Sequence, residues 1–368
     1  MSAAPLGGLV RGLRQKAGLT LEALAELSGV SVRAISDIER GKSLEPQTRT
    51  VRALADALNL PPTERAALIE AARPPATEAP PLCLLPADLP DFTGRSAELT
   101  RLDKLMRPGS TVVVCGPSGM GKTALAVHAA HTHCDRYPCG RLFVDLRGLD
   151  TDLVLWRLLR ACGVEPADIP PATADRTDRL RQTLAERPRL LMLDNAEDEA
   201  QIRPLLPGDG DTTVVITSWW PLAGLAAAER VRLRPLNDDD AVAMLRAVVH
   251  GDDHPALREV ARLCGNYPLA LRIAGSRLLS RPGWTAATLA DRLTDPARRL
   301  DRLTAGDLRV RDAFDATCAR ISPAGHAALA TLARGETVDA VDALDELAEA
   351  GLVIGGHLHE LLKLYLTG

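Results

Sequence analysis

Residues 6 to 72 alternate apolar and polar positions with the period of short helices. Thr20 and Ser31 stand where side chains that cap helix N-termini are expected, and Gly29 with Val30 provides a turn between them. Two short helices joined by such a turn are typical of a helix-turn-helix unit. The predicted helices are 6–17, 20–27, 31–40, 49–59 and 63–72.

Apolar runs typical of buried strands alternate with helical patterns between residues 91 and 236. The alternation predicts a parallel sheet covered by helices. From Asn237 onward amphipathic helical patterns take over, so we expect a helical module after the sheet. The predicted strands are TVVVC at 111–115, RLFVDL at 141–146, RLLMLD at 189–194 and TTVVIT at 212–217.

A proline-rich segment separates these two parts of the chain. Residues 74–90 contain six prolines, which remove amide donors and favour extended backbone. Neither a helix nor a sheet is expected to continue across them. The segment is therefore predicted to be a linker.

Composition favours helices and excludes several classes of protein. Aromatic residues make up only 3% of the chain, so the cores are expected to consist of Leu, Ala and Val, which suit packed helices. No apolar run is long enough to span a membrane, and the first residues lack a signal-peptide pattern, so we expect a cytoplasmic protein without membrane contact. The seven cysteines lack zinc-ligand spacing and are expected to be free thiols.

The charge pattern predicts a local DNA contact. A net charge of −4 excludes a uniformly basic nucleic-acid binder. Residues 1–72 carry nine Lys and Arg against eight Asp and Glu, and the basic groups concentrate at the third helix and just after it. We predict that the third helix buries Val32, Ile35 and Ile38 and that its outer face contacts double-stranded DNA. The alternative is a small helical domain that binds another protein. The predicted DNA-binding residues are Ser31, Arg33, Ser36, Arg40, Lys42 and Arg49.

Residues 116–123, GPSGMGKT, fit the pattern G-x-x-x-x-G-K-[ST] of a phosphate-binding loop, or P-loop. The loop lies between a predicted strand and a predicted helix, which is the context that its mechanism requires. Gly116, Gly119 and Gly121 allow positive φ, so that successive amides approach phosphate oxygens, and Lys122 supplies a mobile charge. The sequence therefore predicts a nucleotide site here.

Two further residues predict a magnesium site, and a third limits hydrolysis. Thr123 offers a hydroxyl to Mg²⁺, and Asp194, which closes the buried strand RLLMLD, is the expected second partner. The next residue is Asn195, which cannot accept a proton from water as a carboxylate would. We therefore expect at most a slow ATPase that acts as a switch, with Lys122 and Asp194 as its catalytic groups.

Longer segments of the chain resemble known protein families. LRQKAGLTLEALAELSGVSVRAISDIERG at 13–41 resembles an Xre-type DNA-binding domain. The rest of the chain resembles the NB-ARC group of STAND signalling ATPases, as found in bacterial multidomain transcriptional regulators. Besides the P-loop, the matching segments are FTGR at 92–95, FVDLRG at 143–148, LLMLDNA at 190–196, CGNYPLAL at 264–271 and LHELLKLY at 358–365.

The resemblance implies contacts to an adenine nucleotide. It places Arg95 of FTGR and Pro268 of the G-x-P element around the base, although Pro268 also suits the first turn of a helix. The family's winged-helix domain has a histidine that reaches the β-phosphate of ADP. That position matches His359, although a lone histidine before a helix is more often a solvated or helix-capping side chain.

The chain departs from the family at the end of the fourth predicted strand. The family usually has an arginine after Thr-Ser, where it senses the γ-phosphate, whereas this chain has Trp219. The winged-helix region from Leu308 also looks shortened. The resemblance therefore leaves recognition of ATP over ADP without its usual residue.

These observations together predict an α-rich multidomain chain with a central α/β P-loop NTPase fold. The expected function is an ATP/ADP switch, with Mg²⁺, that regulates transcription by binding DNA and self-associates on activation. The alternatives are a signalling or defence ATPase whose first domain recruits a protein, and an ADP-locked scaffold without turnover. The predicted domains are a helix-turn-helix at 1–72, a linker at 73–90, a P-loop domain at 91–236, a helical domain at 237–300 and a shortened winged helix at 301–368.

Overall fold

The chain divides into two compact units, Met1–Pro80 and Pro81–Gly368. The computed structural model describes residues 6–40, 48–61, 64, 65, 68, 84–249 and 255–368. The predicted linker at 73–90 and the predicted fifth helix at 63–72 lie for the most part outside the described residues. None of the described helices is long and apolar enough to cross a membrane.

The first unit is helical, and its caps are those that the sequence predicts. Thr20 Oγ1 accepts a hydrogen bond from the Ala23 amide at 3.1 Å, and Ser31 Oγ accepts one from Ala34 at 3.3 Å. Gly29 adopts a left-handed φ of 67° at the turn. Four described helices surround a core that includes Leu24, Ile35 and Leu54: α1 (Leu6–Lys16), α2 (Leu21–Ser28), α3 (Val32–Glu39) and α4 (Thr48–Ala57).

One prediction for α3 is wrong. Ile35 and Ile38 are buried as expected, but Val32 is 37% exposed. A step of three residues falls short of the 3.6-residue helical repeat, so Val32 is turned by about 90° from the midpoint between Ile35 and Ile38. The outer face of α3 therefore begins with an apolar side chain beside Arg33.

A five-stranded sheet in the order β2-β3-β4-β1-β5 forms the centre of the second unit, and all its neighbouring strands are parallel. Val112 and Val114 contribute to the hydrophobic cluster on one face, and Val113 and Cys115 to the cluster on the other. The strands are β1 (Thr111–Cys115), β2 (Arg141–Asp145), β3 (Leu190–Ala196), β4 (Thr213–Ser218) and β5 (Ala228–Arg232).

The four predicted strands are confirmed, and β5 is an addition. Its sequence, AERVR, places charged residues at exposed positions of an edge strand, so it lacks the apolar run that identifies the others. Helices on both faces cover the sheet: α5 (Ser96–Leu105), α6 (Lys122–Thr132), α7 (Thr151–Ala161), α8 (Thr173–Glu186) and α9 (Glu199–Ile202).

Helices follow the sheet to the end of the chain. Residues such as Leu271, Phe314 and Leu361 belong to the same hydrophobic cluster as Val114, so the later helices pack into one core with the sheet. The predicted domain boundaries at 236 and 300 fall inside this unit and stay predictions. The helices are α10 (Asp238–Val249), α11 (Pro255–Leu263), α12 (Pro268–Leu279), α13 (Ala286–Leu293), α14 (Pro296–Arg302), α15 (Val310–Cys318), α16 (Pro323–Ala333), α17 (Val341–Glu349) and α18 (Glu360–Thr367).

Two short antiparallel hairpins interrupt these helices. The first joins β6 (Thr304–Ala305) to β7 (Leu308–Arg309), and the second joins β8 (Val353–Ile354) to β9 (His357–Leu358). Gly355 and Gly356 form the second turn with φ of 59° and 82°. His359 and α18 directly follow this hairpin.

Candidate functional site

The P-loop connects the end of β1 to the start of α6, as predicted. Gly116, Gly119 and Gly121 have φ of 143°, 79° and 81°, which side chains rarely tolerate. A Cβ at Gly116 would lie 2.9 Å from the Leu233 carbonyl oxygen, whereas a Cβ at Gly121 would meet nothing within 4 Å. Gly116 is therefore fixed by packing, and Gly121 faces open space at the N-terminus of α6.

Lys122 is buried, and its ammonium is bonded to the loop itself. Its Nζ donates to the carbonyl oxygens of Gly116 at 2.9 Å and Pro117 at 3.0 Å. Burial lowers the pKa of Lys122 from 10.5 to about 8, although the charge of Asp194 partly opposes this effect. The lysine thus keeps a charge near neutral pH, and its hydrogen-bond acceptors among the described residues are two neutral carbonyl oxygens.

Thr123 and Asp194 lie side by side at the carboxyl end of the sheet. Thr123 Oγ1 donates to Asp194 Oδ1 at 2.7 Å, and the buried Thr217 donates to the same oxygen. Burial raises the pKa of Asp194, and these two hydrogen bonds oppose the rise. A hydroxyl and a carboxylate in contact fit Mg²⁺, which takes few protein oxygens and completes its shell with water and phosphate. The described residues contain no group of three acidic, His or Cys ligands that would hold a metal alone.

Asn195, which follows Asp194 in the chain, lies in a local irregularity of β3. The register of β3 against β4 shifts after Leu193, and Asn195 has φ 58°, which asparagine tolerates better than most residues. Its Nδ2 donates to Asp194 Oδ2 at 2.8 Å and to Asp145 Oδ1 at 3.0 Å. The amide therefore joins two carboxylates and provides no general base.

Asp145 is a site residue that the sequence reasoning missed. It ends β2, which neighbours β3 in the sheet, and it pairs with Asp194 across the parallel register. The carboxyl ends of parallel strands meet at one edge of a sheet. Asp145, the acid near the end of the predicted strand RLFVDL, could therefore have been assigned to the site from the sequence.

A small cleft adjoins the P-loop. The Arg95 guanidinium donates to Glu98 Oε1 at 2.8 Å and to the Met120 carbonyl oxygen at 3.2 Å, which ties the FTGR segment to the loop. The Leu269 amide donates to the Gly119 carbonyl oxygen at 3.1 Å, which ties the G-x-P element to the same loop. The residues that line the cleft include Phe92, Arg95, Met120, Gly121, Pro268 and Arg272.

Pro268 begins a helix, as the alternative interpretation of this residue predicts, and it also faces the cleft. It is the first residue of α12, where the missing amide of proline costs no hydrogen bond, and it also lines the cleft. The structure thus brings Arg95 and Pro268 together beside Gly121. Whether they hold a base stays a prediction.

His359 caps α18. Its Nδ1 accepts a hydrogen bond from the Leu361 amide at 3.3 Å, so Nε2 carries the proton and donates to the Gly265 carbonyl oxygen at 2.7 Å. Burial lowers the pKa of His359, although the bond to Gly265 opposes this effect. The capping alternative is confirmed, and both ring nitrogens have protein partners. A contact to the β-phosphate of ADP stays a prediction that requires the Nε2 bond to open.

The predicted DNA-contact residues divide into three groups. The side chains of Arg33 and Arg40 are 92% and 59% exposed, and Asp37 lies between them at 4.0 Å and 3.2 Å. Ser31 caps α3 through its hydroxyl, and Ser36 is half-buried. Lys42 and the side chain of Arg49 lie outside the described part of the chain.

Comparisons with known proteins agree with this two-part organisation. A helix-turn-helix domain model matches residues 5–68, and an AAA domain model matches residues 106–204. The regulatory protein AfsR of Streptomyces griseus is 36% identical over 375 residues, which cover 89% of this chain and 38% of that protein. AfsR of Streptomyces coelicolor is 34% identical over 321 residues, which cover 76% of this chain and 32% of that protein.

One solved structure supports the fold of the second unit. The Walker-type ATPase PABY2304 of Pyrococcus abyssi is 13% identical with a TM-score of 0.53, and the match covers 78% of this chain and 98% of that one. At this identity the likeness concerns the fold alone.

The chain is therefore a helix-turn-helix domain joined to a P-loop ATPase domain, a pair of folds that implies binding of DNA and of a nucleotide. It is homologous to the AfsR regulatory proteins, and this agrees with the resemblance to STAND ATPases drawn from its motifs. The chain spans less than two fifths of the length of either AfsR protein.

Proposed function

We propose that this chain is a transcriptional regulator whose affinity for DNA depends on the adenine nucleotide bound at its P-loop. The observation that supports this most is the buried Lys122 ammonium, whose hydrogen-bond acceptors in the described part of the chain are the carbonyl oxygens of Gly116 and Pro117. A nucleotide phosphate would give this charge an anionic partner in a site of low dielectric. The P-loop amides and the N-terminus of α6 would add further donors to the same phosphates.

The proposed roles of the other site residues follow from their positions. Thr123 and Asp194 would hold Mg²⁺, which neutralises phosphate charge when it is bound. Arg95 and Pro268 would flank the adenine in the cleft beside Gly121. ATP and ADP are therefore the proposed ligands.

The proposed ATPase activity is slow, because the residue that follows Asp194 in the chain is Asn195 and not a carboxylate that could act as a general base. The amide of Asn195 donates hydrogen bonds to Asp194 and Asp145. An amide group is not basic enough to accept a proton from a water molecule. A long-lived triphosphate state suits a switch better than a motor.

DNA binding is proposed to use the exposed face of α3. Arg33 and Arg40 project from it, but Asp37 neutralises part of their charge, so one domain alone would bind weakly. Self-association of the triphosphate form would place two or more such domains on neighbouring half-sites and raise the affinity through avidity.

The nucleotide site is tested by isothermal titration calorimetry of the full chain with ADP and ATP. Lys122→Ala is expected to lower the affinity for both by at least about a hundredfold, since it removes a buried charge-assisted contact. Lys104→Ala, at an exposed lysine of α5, is the matched control. An unchanged affinity in Lys122→Ala would contradict the proposed site.

The DNA function is tested by selecting bound fragments from random DNA, with ADP and with a non-hydrolysable ATP analogue. We expect a common sequence that is enriched more strongly with the analogue. Phosphate release that a protein partner stimulates, without any enrichment of DNA, would favour the alternative of a signalling ATPase.

A further inference from the structure

Trp219 lies next to the P-loop lysine, at the position where the resemblance to the NB-ARC group implies a phosphate-sensing arginine. Trp219 directly follows β4, and its ring centroid lies 5.8 Å from Lys122 Nζ. The indole has no charge to offer a phosphate. Its π-face can, however, hold a cation that another part of the chain supplies.

Arg320 supplies such a cation. Its Cζ lies 4.9 Å from the centroid of the Trp219 ring, so the same indole contacts both Lys122 and Arg320. Arg320 belongs to the turn between α15 and α16, about a hundred residues after β4. A guanidinium that packs on an aromatic face keeps its N–H edges available for a planar or tetrahedral anion.

The two cations are close enough to repel each other. Lys122 Nζ and Arg320 Cζ lie 5.8 Å and 4.9 Å from the centroid of the same indole ring. A phosphate that contacts both cations would relieve this repulsion.

The ion-pair partner of Arg320 among the described residues is exchangeable. Arg320 Nη2 lies 3.3 Å from Glu197 Oε1, and the two side chains are 34% and 51% exposed. Exposed ion pairs of this kind contribute little to stability, so a phosphate can displace the carboxylate. Glu197 follows β3 directly and therefore holds Arg320 at the edge of the sheet where the P-loop lies.

We infer that Arg320 recognises the terminal phosphate of a nucleoside triphosphate, in place of an arginine at position 219, and exchanges Glu197 for that phosphate. Trp219 is the positioning residue that holds the guanidinium beside Lys122. This inference rests on the proposed function of the P-loop. Because Arg320 belongs to the turn between α15 and α16, triphosphate binding would also change the contacts of that part of the chain with the sheet.

The test is calorimetry of the full chain with ADP and with the β,γ-imido analogue of ATP, both with Mg²⁺. Arg320→Ala is expected to weaken binding of the analogue by about tenfold to a hundredfold, the effect of one lost charged hydrogen bond. Binding of ADP is expected to change by less than about twofold, since ADP lacks the phosphate in question. Arg334→Ala, at an exposed arginine of the next turn that pairs with Glu336, is the matched control and should change neither.

A second variant tests the exchange of partners. Glu197→Gln removes the competing carboxylate, so it is expected to tighten binding of the analogue severalfold without an effect on ADP. An unchanged affinity for the analogue in Arg320→Ala, or an equal loss for both nucleotides, would overturn the inference while the P-loop assignment stands. If the unmodified chain bound neither nucleotide, the proposed function and this inference would both fail.

Discussion

Replacement of Lys122 by methionine is predicted to change how the stability of the nucleotide-free chain depends on pH. Methionine has a similar length and no charge, so the variant removes the buried ammonium and keeps most of its packing. The lowered pKa gives the cost of burying that charge. A pKa of about 8 in place of 10.5 corresponds to about 3 kcal/mol near neutral pH.

The sign follows from proton binding. Between pH 8 and 10.5 the unfolded chain holds the Lys122 proton more tightly than the folded chain, so stability rises with pH in that window. Below pH 8 both states are protonated and the full cost is present. The free energy of unfolding of the unmodified chain should therefore rise by about 2 kcal/mol from pH 7 to pH 9.5, relative to Lys122→Met.

The comparison across pH isolates the charge from other effects of the substitution. Lys122→Met also leaves the carbonyl oxygens of Gly116 and Pro117 without their donor, which costs stability by an amount that does not depend on pH. The absolute difference between the two proteins mixes both effects. Its change with pH comes mainly from the titration of Lys122, with a smaller share from the neighbouring Cys115 thiol, whose charge interacts with that of Lys122.

The assay is urea unfolding followed by tryptophan fluorescence at a series of pH values without nucleotide. The four tryptophans lie in the second unit, so the signal reports the unit that contains the P-loop: Trp156, Trp219, Trp220 and Trp284. Lys104→Met is the control, because this lysine is exposed on α5. Stability curves for the unmodified chain and Lys122→Met that stay parallel from pH 7 to pH 9.5 would refute the reasoning.

Three further predictions concern the other site residues. Asp194→Asn removes the carboxylate beside Thr123, so nucleotide affinity measured by calorimetry with Mg²⁺ should fall to the value measured with a chelator; a persistent magnesium effect would exclude Asp194 as a ligand. Arg33→Ala should weaken binding of a selected DNA fragment by about 1–3 kcal/mol in fluorescence anisotropy, whereas Arg65→Ala should leave it unchanged; equal losses would exclude α3 as the specific contact. His359→Ala removes the cap of α18 and the bond to Gly265, so urea unfolding should show a loss of about 1–2 kcal/mol, and no loss would contradict the capping role.

Local signals in the sequence predicted the elements that bear the site. The P-loop pattern placed Lys122 at the start of α6, and the buried run before Asp194 placed this acid near the end of β3. Cap residues predicted the starts of α2 and α3 because a cap depends on residues within one turn. Each of these features is decided by neighbours in the chain.

Features that depend on distant packing were missed. The edge strand β5 lacks an apolar run, and the exposure of Val32 depends on which side of α3 the core occupies. The contact of Arg320 with Trp219 joins residues from different elements, so no spacing in the sequence indicates it. The sequence alone indicated a lost phosphate sensor at Trp219, whereas the structure places another arginine beside it.

The central claim, that the nucleotide at the P-loop controls DNA binding, is tested most directly by one affinity measurement. The full chain is titrated onto the selected DNA fragment at fixed salt, once saturated with ADP and once with the non-hydrolysable ATP analogue. We predict an affinity at least about tenfold higher with the analogue, which corresponds to a coupling free energy of about 1.4 kcal/mol or more. Equal affinities in the two nucleotide states would contradict the claim.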